Sequence, residues 1–197
     1  MSERLRPIAT SSQTVGPFFH FGLTADARLG EVAAPDAAGV HLQLRVCVRD
    51  GAGEPVPDAV VEIYQADAEG RYPASTESPA PSPESRVPGI FSGFGRLPTG
   101  SAGCCVFQTI KPGIVRTNGV EQAPHINVCL LARGLLRQIY TRIYFKDDSA
   151  LATDPILALV PADRRSTLFA APSAGEPGLW EFVIRMQGSE ETVFFDL

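Results

Sequence analysis

The sequence predicts a mainly β protein with a β-sandwich core, long loops and one or two short helices. Two observations predict it. At least six segments alternate apolar and polar residues with the period of a β-strand. The 197 residues also include 18 glycines and 17 prolines, which favour turns and short strands over a helical bundle. This length predicts a single domain over residues 1–197, with a loose N-terminal arm at residues 1–13.

The first half of the chain contains three predicted strands. The first has apolar side chains at alternate positions and ends at a turn of Asp and Gly residues, 50–53. The second covers residues 59–65 and the third covers residues 104–110. Between these two, residues 73–89 are rich in proline and serine, which predicts a long surface loop. The alternating residues of the first strand are Leu42, Leu44, Val46 and Val48.

The second half predicts two central strands, two short helices and a C-terminal hairpin. The strands cover residues 125–132 and 138–145. Asp154 before Pro155 is typical of a helix start, and Asp163 is a candidate cap for a second short helix. The predicted hairpin pairs residues 180–186 with residues 192–195.

The charge and the terminal sequence restrict the function. The net charge is −5 and the pI is about 5.2, without a basic run, which argues against nucleic acid or an anionic membrane as the partner. No apolar stretch reaches the ~20 residues that span a bilayer. Residues 1–13 are polar and lack the apolar segment of a secretory signal. The sequence therefore predicts a cytoplasmic protein.

The four cysteines form no C-x-x-C pair, which predicts reduced, structural thiols. Cys104 and Cys105 lie in a predicted strand and should point to opposite faces, so the two thiols cannot bind one metal together. The other two cysteines are Cys47 and Cys129.

Few residues carry obvious chemistry. His125 and Asn127 project to the same face of a predicted strand, and a tyrosine from another loop could join them in a metal site. A single histidine does not make a metal centre, so the simpler interpretation of His125 is a hydrogen-bonded structural residue. Tyr72 stands at the start of the long loop. Arg133 at a strand end could bind a carboxylate through two hydrogen bonds, or remain a solvated loop residue.

An ordered set of segments resembles the intradiol ring-cleavage dioxygenases, which are non-haem ferric enzymes with a β-sandwich core. The resemblance extends from about residue 12 to the C-terminus. It is carried by the segments SQTVGP (12–17), VEIYQADAEGRY (61–72), TIKPG (109–113) and PHI (124–126). Within the family, the closest resemblance is to the alpha type of subunit in its two-chain members. This second likeness rests on APHIN (123–127), ARG (132–134), TRIYF (141–145) and ETVFFD (191–196).

The resemblance implies that this chain lacks two of the four iron ligands. The catalytic beta-type chains hold Fe(III) with two tyrosinates and two histidines. Tyr72 matches the first tyrosine and His125 matches the first histidine. Val115 stands where the second tyrosine would be, and Asn127 replaces the second histidine. Valine cannot coordinate a metal, and a neutral amide is a poor ligand for ferric iron. We expect no catalytic iron in this chain, with Tyr72 and His125 as remnants kept for packing or hydrogen bonding.

The resemblance also implies a role for a chain without metal. In the family, the active site lies between alpha and beta subunits of an (αβ)n assembly, and the ferric beta subunit cleaves protocatechuate with O₂ to 3-carboxy-cis,cis-muconate. The alpha chain closes the pocket. The matching residues here are Thr14, Gly16, Pro17 and Arg133. Gly16 would allow a close approach to an aromatic ring, Pro17 would stiffen the wall, and Arg133 would bind carboxylates. The chain alone is predicted to be inactive.

Two alternatives remain open. The segment GEPVPDA (53–59) with the later TIKPG turn also resembles transthyretin-like domains, which would make the chain a free-standing binding module. The SQTVGP segment and the C-terminal ending count against that alternative. A homomeric catechol dioxygenase with a metal-ligand set recruited from Asp or Glu is the other.

Overall fold

The computed structural model describes residues 9–73, 91–146 and 148–196, and in these the mainly β prediction is confirmed. The predicted loop at 73–89 lies outside the described residues except for Pro73. The strands are β1 (His41–Arg49), β2 (Val60–Gln65), β3 (Phe94–Pro98), β4 (Cys104–Ile110), β5 (Val115–Thr117), β6 (Val120–Gln122), β7 (His125–Leu131), β8 (Ile139–Phe145), β9 (Phe169–Pro172) and β10 (Leu179–Arg185). The α-helices are α1 (Phe19–Leu23) and α2 (Pro155–Ala158), and short 3₁₀ helices cover Ala27–Gly30, Ser149–Thr153 and Arg165–Leu168.

Eight strands form one strongly folded sheet in the order β3-β2-β7-β8-β9-β10-β1-β4, and β5 and β6 form a separate hairpin. The short strand β9 joins the two halves, because it pairs in parallel with β8 and antiparallel with β10. The two outer strands approach each other across the core. A β-carbon built on Gly95 of β3 would lie 2.9 Å from the ring of Phe107 in β4. The sandwich is therefore almost a closed barrel.

The core lies between the two halves of the sheet. The four alternating residues of β1 are all buried, as the period of two predicts. They pack with apolar side chains from β2, β4, β7, β8 and β10, and burial of this apolar surface is the main stabilising contribution to the fold. The residues that face them include Ile63, Phe107, Val128, Ile143 and Ile184.

The predicted C-terminal hairpin is wrong. β10 pairs instead in parallel with β1, from Gln43 opposite Leu179 to Arg49 opposite Arg185. The segment after β10 crosses to the other half, where the Phe195 amide donates to the Tyr140 carbonyl at 2.8 Å. An alternating pattern predicts a strand but does not identify its partner, and here the partner is about 140 residues away in sequence.

One of the two predicted helix starts is confirmed. The Asp154 carboxylate accepts a hydrogen bond from the Leu157 amide at 2.7 Å, and Pro155 occupies the first turn of α2. The second is wrong, because the helix Arg165–Leu168 begins after Arg164 and has no side-chain cap from Asp163. Within the described residues, every helix is too short or too polar to cross a bilayer.

The prediction of four reduced thiols is also wrong. Cys47 and Cys104 stand directly opposite each other in the β1–β4 pair and form a disulfide, with their α-carbons 4.0 Å apart. Cys105 and Cys129 are free. The expectation that Cys104 and Cys105 point to opposite faces is confirmed, since Cys105 is buried in the core.

Candidate functional site

A tight turn at Asp67–Arg71 delivers Tyr72 to the site. One oxygen of the Asp67 carboxylate accepts hydrogen bonds from the amides of Glu69 and Arg71, both at 2.9 Å. The Asp67 amide donates to the Arg71 carbonyl at 2.9 Å, which closes the turn. Gly70 has φ +81°, a left-handed conformation that costs glycine nothing. Tyr72 therefore leaves a turn whose conformation is fixed by local hydrogen bonds.

The backbone of residues 113–115 packs against this turn. The Gly113 amide donates to the Asp67 carbonyl at 2.9 Å. A β-carbon on Gly70 would lie 1.9 Å from the Ile114 carbonyl oxygen, so only glycine fits there. Val115, where the resemblance implies a lost tyrosine ligand, is buried in β5 and pairs with Gln122 of β6.

Three of the predicted residues, Tyr72, His125 and Asn127, are in hydrogen-bond contact beside β7. We call them the Tyr72 cluster. The Tyr72 hydroxyl lies 3.1 Å from His125 Nε2. The Asn127 side-chain amide donates to the Tyr72 oxygen at 2.9 Å and to the Tyr64 carbonyl at 3.2 Å. Asn127 reaches Tyr64 because the β2–β7 register places these two residues opposite each other.

The hydrogen bonds define the protonation state of the Tyr72 cluster. His125 Nδ1 lies 2.8 Å from the Ala123 carbonyl, which can only accept, so Nδ1 carries the proton. His125 Nε2 is then the acceptor, and the Tyr72 hydroxyl donates to it. Burial, reinforced by the nearby Arg142 charge, lowers the pKa of His125 to about 4. Burial raises the pKa of Tyr72. At neutral pH both groups are therefore uncharged.

Two further side chains complete the surroundings, and the sequence reasoning missed both. The Tyr64 ring stacks on the Tyr72 ring with centroids 5.0 Å apart. Arg142 stands opposite Asn127 in the β7–β8 register, and its guanidinium donates to the Gln122 side chain at 2.8 Å. Both positions lie in alternating strands and in two of the motif segments, 61–72 and 141–145, but neither signal singled them out. The Tyr72 hydroxyl, both His125 ring nitrogens and the Asn127 amide nitrogen each have a protein partner.

The predicted pocket residues lie elsewhere. Arg133 follows the far end of β7, roughly 26 Å from His125 at the ~3.3 Å rise of a strand. Thr14 is brought to the same turn, because its hydroxyl accepts a hydrogen bond from the Gly134 amide at 2.7 Å. Gly16 and Pro17 follow in the exposed segment before α1, and no atom lies within 4 Å of a β-carbon built on Gly16. The structure thus brings Thr14 and Arg133 together and keeps both apart from the Tyr72 cluster.

Removal of the Tyr72 hydroxyl tests whether the cluster stabilises the fold. We expect Tyr72→Phe to lower the free energy of unfolding by about 1–3 kcal/mol, because buried His125 Nε2 loses its donor and Asn127 loses an acceptor. Urea unfolding followed by circular dichroism measures the change. The matched control is Tyr140→Phe, whose hydroxyl accepts an exposed hydrogen bond from Gln138 and lies beside the half-buried Cys129 thiol, and which should cost less than about 1 kcal/mol. Equal losses for the two variants would contradict a stabilising role for the cluster.

Comparisons with known proteins agree with this architecture. A family model described as "Dioxygenase" matches residues 15–185. A protocatechuate 3,4-dioxygenase alpha chain from Burkholderia cepacia is 43% identical over 201 residues, covering 95% of this chain and 97% of that one. A protocatechuate 3,4-dioxygenase beta chain from Burkholderia cepacia is 31% identical over 204 residues, covering 98% of this chain and 83% of that one. The dioxygenase domain of a dioxygenase carbohydrate-binding protein fusion from Streptomyces sp. SirexAA-E is 21% identical and shares the fold with a TM-score of 0.61, covering 83% and 88%.

Proposed function

The chain belongs to the intradiol ring-cleavage dioxygenase family, and we propose that it is the non-iron-binding alpha subunit of a heteromeric protocatechuate 3,4-dioxygenase. Its partner is a beta-type catalytic subunit that holds Fe(III) and cleaves protocatechuate with O₂ to 3-carboxy-cis,cis-muconate in the breakdown of aromatic compounds. The greater identity to the alpha relative, 43% against 31% for the beta relative, supports the alpha assignment. The occurrence of both relatives in one organism supports an αβ assembly.

The Tyr72 cluster is the single observation on which the proposal depends. Ferric iron is stabilised by anionic phenolate and by imidazole nitrogen. Here the Tyr72 hydroxyl donates a hydrogen bond to His125 Nε2, the nitrogen that a metal would need. Asn127 directs its NH₂ group, a donor, at the Tyr72 oxygen. The donor set does not fit ferric iron, and buried Val115 supplies no replacement ligand.

We propose that the chain contributes to catalysis through the residues at the end of β7 that lies away from His125. Arg133 presents a guanidinium to anionic carboxylates of the substrate, and Thr14 fastens the N-terminal segment beside it through Gly134. The open space around Gly16 leaves room for an aromatic ring or a partner backbone, and Pro17 limits the movement of that wall. These residues bind and orient, while the chemistry belongs to the partner subunit.

We also propose a cytoplasmic location. The acidic composition and polar N-terminal residues support it. The Cys47–Cys104 disulfide is the observation against it, because such bonds are rare in reducing compartments. Labelling of free thiols in freshly lysed cells distinguishes a paired from a reduced state of these two cysteines.

Iron content and protocatechuate-dependent oxygen uptake test the subunit proposal. The chain is purified alone and in a complex with a beta-type partner that has two tyrosines and two histidines at the ligand positions. We expect the lone chain to contain no stoichiometric iron and to consume no oxygen, and the complex to contain one iron per αβ unit and to be active. About one iron in an active lone chain would contradict the ligand argument and favour a recruited ligand set. Failure to form any complex would favour the free-standing binding module.

A further inference from the structure

Asp58 stands opposite Arg133, and the sheet register places it there. The β2–β7 pair ends with Val60 opposite Leu131. Two positions beyond this pair lie Asp58, which precedes β2, and Arg133, which follows β7. The Arg133 Nε group donates to the Asp58 Oδ2 atom, forming an ion pair between two segments 75 residues apart in sequence. Continuation of an antiparallel register thus brings a carboxylate to the arginine that the proposed function uses.

The geometry of this ion pair leaves part of the guanidinium free. An arginine has five N–H donors in a planar fork, and the Nε side is the one that Asp58 occupies. The side chain of Arg133 is 55% exposed, whereas that of Asp58 is 20% exposed. The two terminal nitrogens can therefore form paired hydrogen bonds to a second carboxylate on the opposite edge of the fork.

Asp58 is itself held in place. The adjacent Ala59 amide donates to the Thr99 hydroxyl at 3.2 Å, and that hydroxyl donates to the Val56 carbonyl at 2.6 Å. Thr99 is fully buried. On the other side of the ion pair, Thr14 fixes the Gly134 amide. Both ends of the Asp58–Arg133 pair are therefore attached to ordered backbone.

We propose that Asp58 is a positioning residue, which holds Arg133 through Nε so that its terminal nitrogens face the carboxylate of the aromatic substrate. The inference rests on the proposed function of Arg133. An unheld arginine side chain occupies many rotamers, and their loss on binding opposes substrate affinity. The negative charge of Asp58 acts in the opposite direction, since it repels a substrate carboxylate. The sign of the effect of Asp58→Asn therefore decides between positioning and competition.

The test uses the active αβ complex and two competitive inhibitors that differ in the carboxylate alone, 4-hydroxybenzoate and phenol. We expect Asp58→Asn to raise the inhibition constant of 4-hydroxybenzoate and the KM of protocatechuate about tenfold, with the inhibition constant of phenol and kcat within about twofold. Asp58→Glu keeps the charge and should recover part of the affinity. Glu121→Gln removes the partner of the exposed Arg116 and serves as the matched control, without an expected change.

Arg133→Ala separates failure of this inference from failure of the proposed function. If Arg133→Ala leaves the inhibition constant of 4-hydroxybenzoate unchanged, the pocket role of Arg133 is wrong. If Arg133→Ala weakens binding but Asp58→Asn has no effect or strengthens it, Asp58 is not a positioning residue. Should Asp58→Asn fail to assemble, Asp58→Ser, which also removes the carboxylate, takes its place, and unchanged binding of 4-hydroxybenzoate with Ser would overturn the inference. In the Arg133→Ala background, Asp58→Asn should have no further effect.

Discussion

The Gly70→Ala variant is expected to lose about 3 kcal/mol or more of its free energy of unfolding. Two costs combine in one methyl group. For an alanine at φ +81°, the strain of a left-handed backbone destabilises the fold by roughly 1–2 kcal/mol. Its β-carbon would also lie 1.9 Å from the Ile114 carbonyl oxygen, and overpacking against backbone that cannot yield costs about 1–3 kcal/mol. Relief of the clash requires the turn that carries Tyr72 to separate from residues 113–115.

The matched control for this variant is Gly53→Ala. Gly53 has nearly the same φ, +83°, but no atom lies within 4 Å of its β-carbon. It should therefore pay only the backbone strain of about 1–2 kcal/mol. Urea unfolding of both variants measures the difference, which reports the close approach of the two backbones at Gly70. Equal losses would show that residues 113–115 do not pack against the turn as described.

Acidification from pH 6.5 to about 4 is expected to remove roughly 3 kcal/mol of stability through His125 alone. Burial, with Arg142 as the second cause, lowers the pKa of His125 from 6.5 to about 4 in the folded chain. Between these two values the unfolded chain binds a proton that the folded chain does not, so stability falls as the pH falls. Well above pH 6.5 His125 is neutral in both states, and its contribution to the pH dependence disappears.

Carboxylates titrate in the same interval, so the contribution of His125 must be isolated by substitution. His125→Gln removes the titrating ring, and its free energy of unfolding should depend less steeply on pH between 6.5 and 4 than that of the native chain. Tyr72→Phe is the matched control, because it loses the same hydrogen bond to His125 Nε2 but keeps the buried imidazole, and it should keep the native slope. A native slope in the His125→Gln variant would mean that the buried imidazole is not the origin of the acid sensitivity.

The sequence predicted the long strands and the fold class because one buried face imposes a period of two over seven to nine residues, as in β1, β4 and β7. The strands that it missed are too short or too irregular for that signal. β5 and β6 have three residues each, and β9 is only Phe-Ala-Ala-Pro. The C-terminal hairpin was wrong for a different reason, since proximity in sequence is a poor guide when strands pair over long separations.

The candidate site was predictable as a set of residues but not as a geometry. Motif order identified Tyr72, His125 and Asn127, yet the direction of each hydrogen bond depends on the Ala123 carbonyl, which carries no sequence signal. The Cys47–Cys104 disulfide and the Asp58–Arg133 pair were not predicted from the sequence, and for the same reason. Both join residues that are far apart in sequence and opposite in register, so they become visible only once the strand pairing is known.

The pairing of β1 with β10 has a consequence for synthesis of the protein on the ribosome. β1 emerges early, and β4 can cover one of its edges after about sixty further residues. Its other edge has no partner until Leu179–Arg185 has left the exit tunnel. Until then, the nascent chain displays an apolar strand with an open edge, a state prone to aggregation. We expect the protein to depend on chaperones that bind nascent chains more than a fold of local hairpins would.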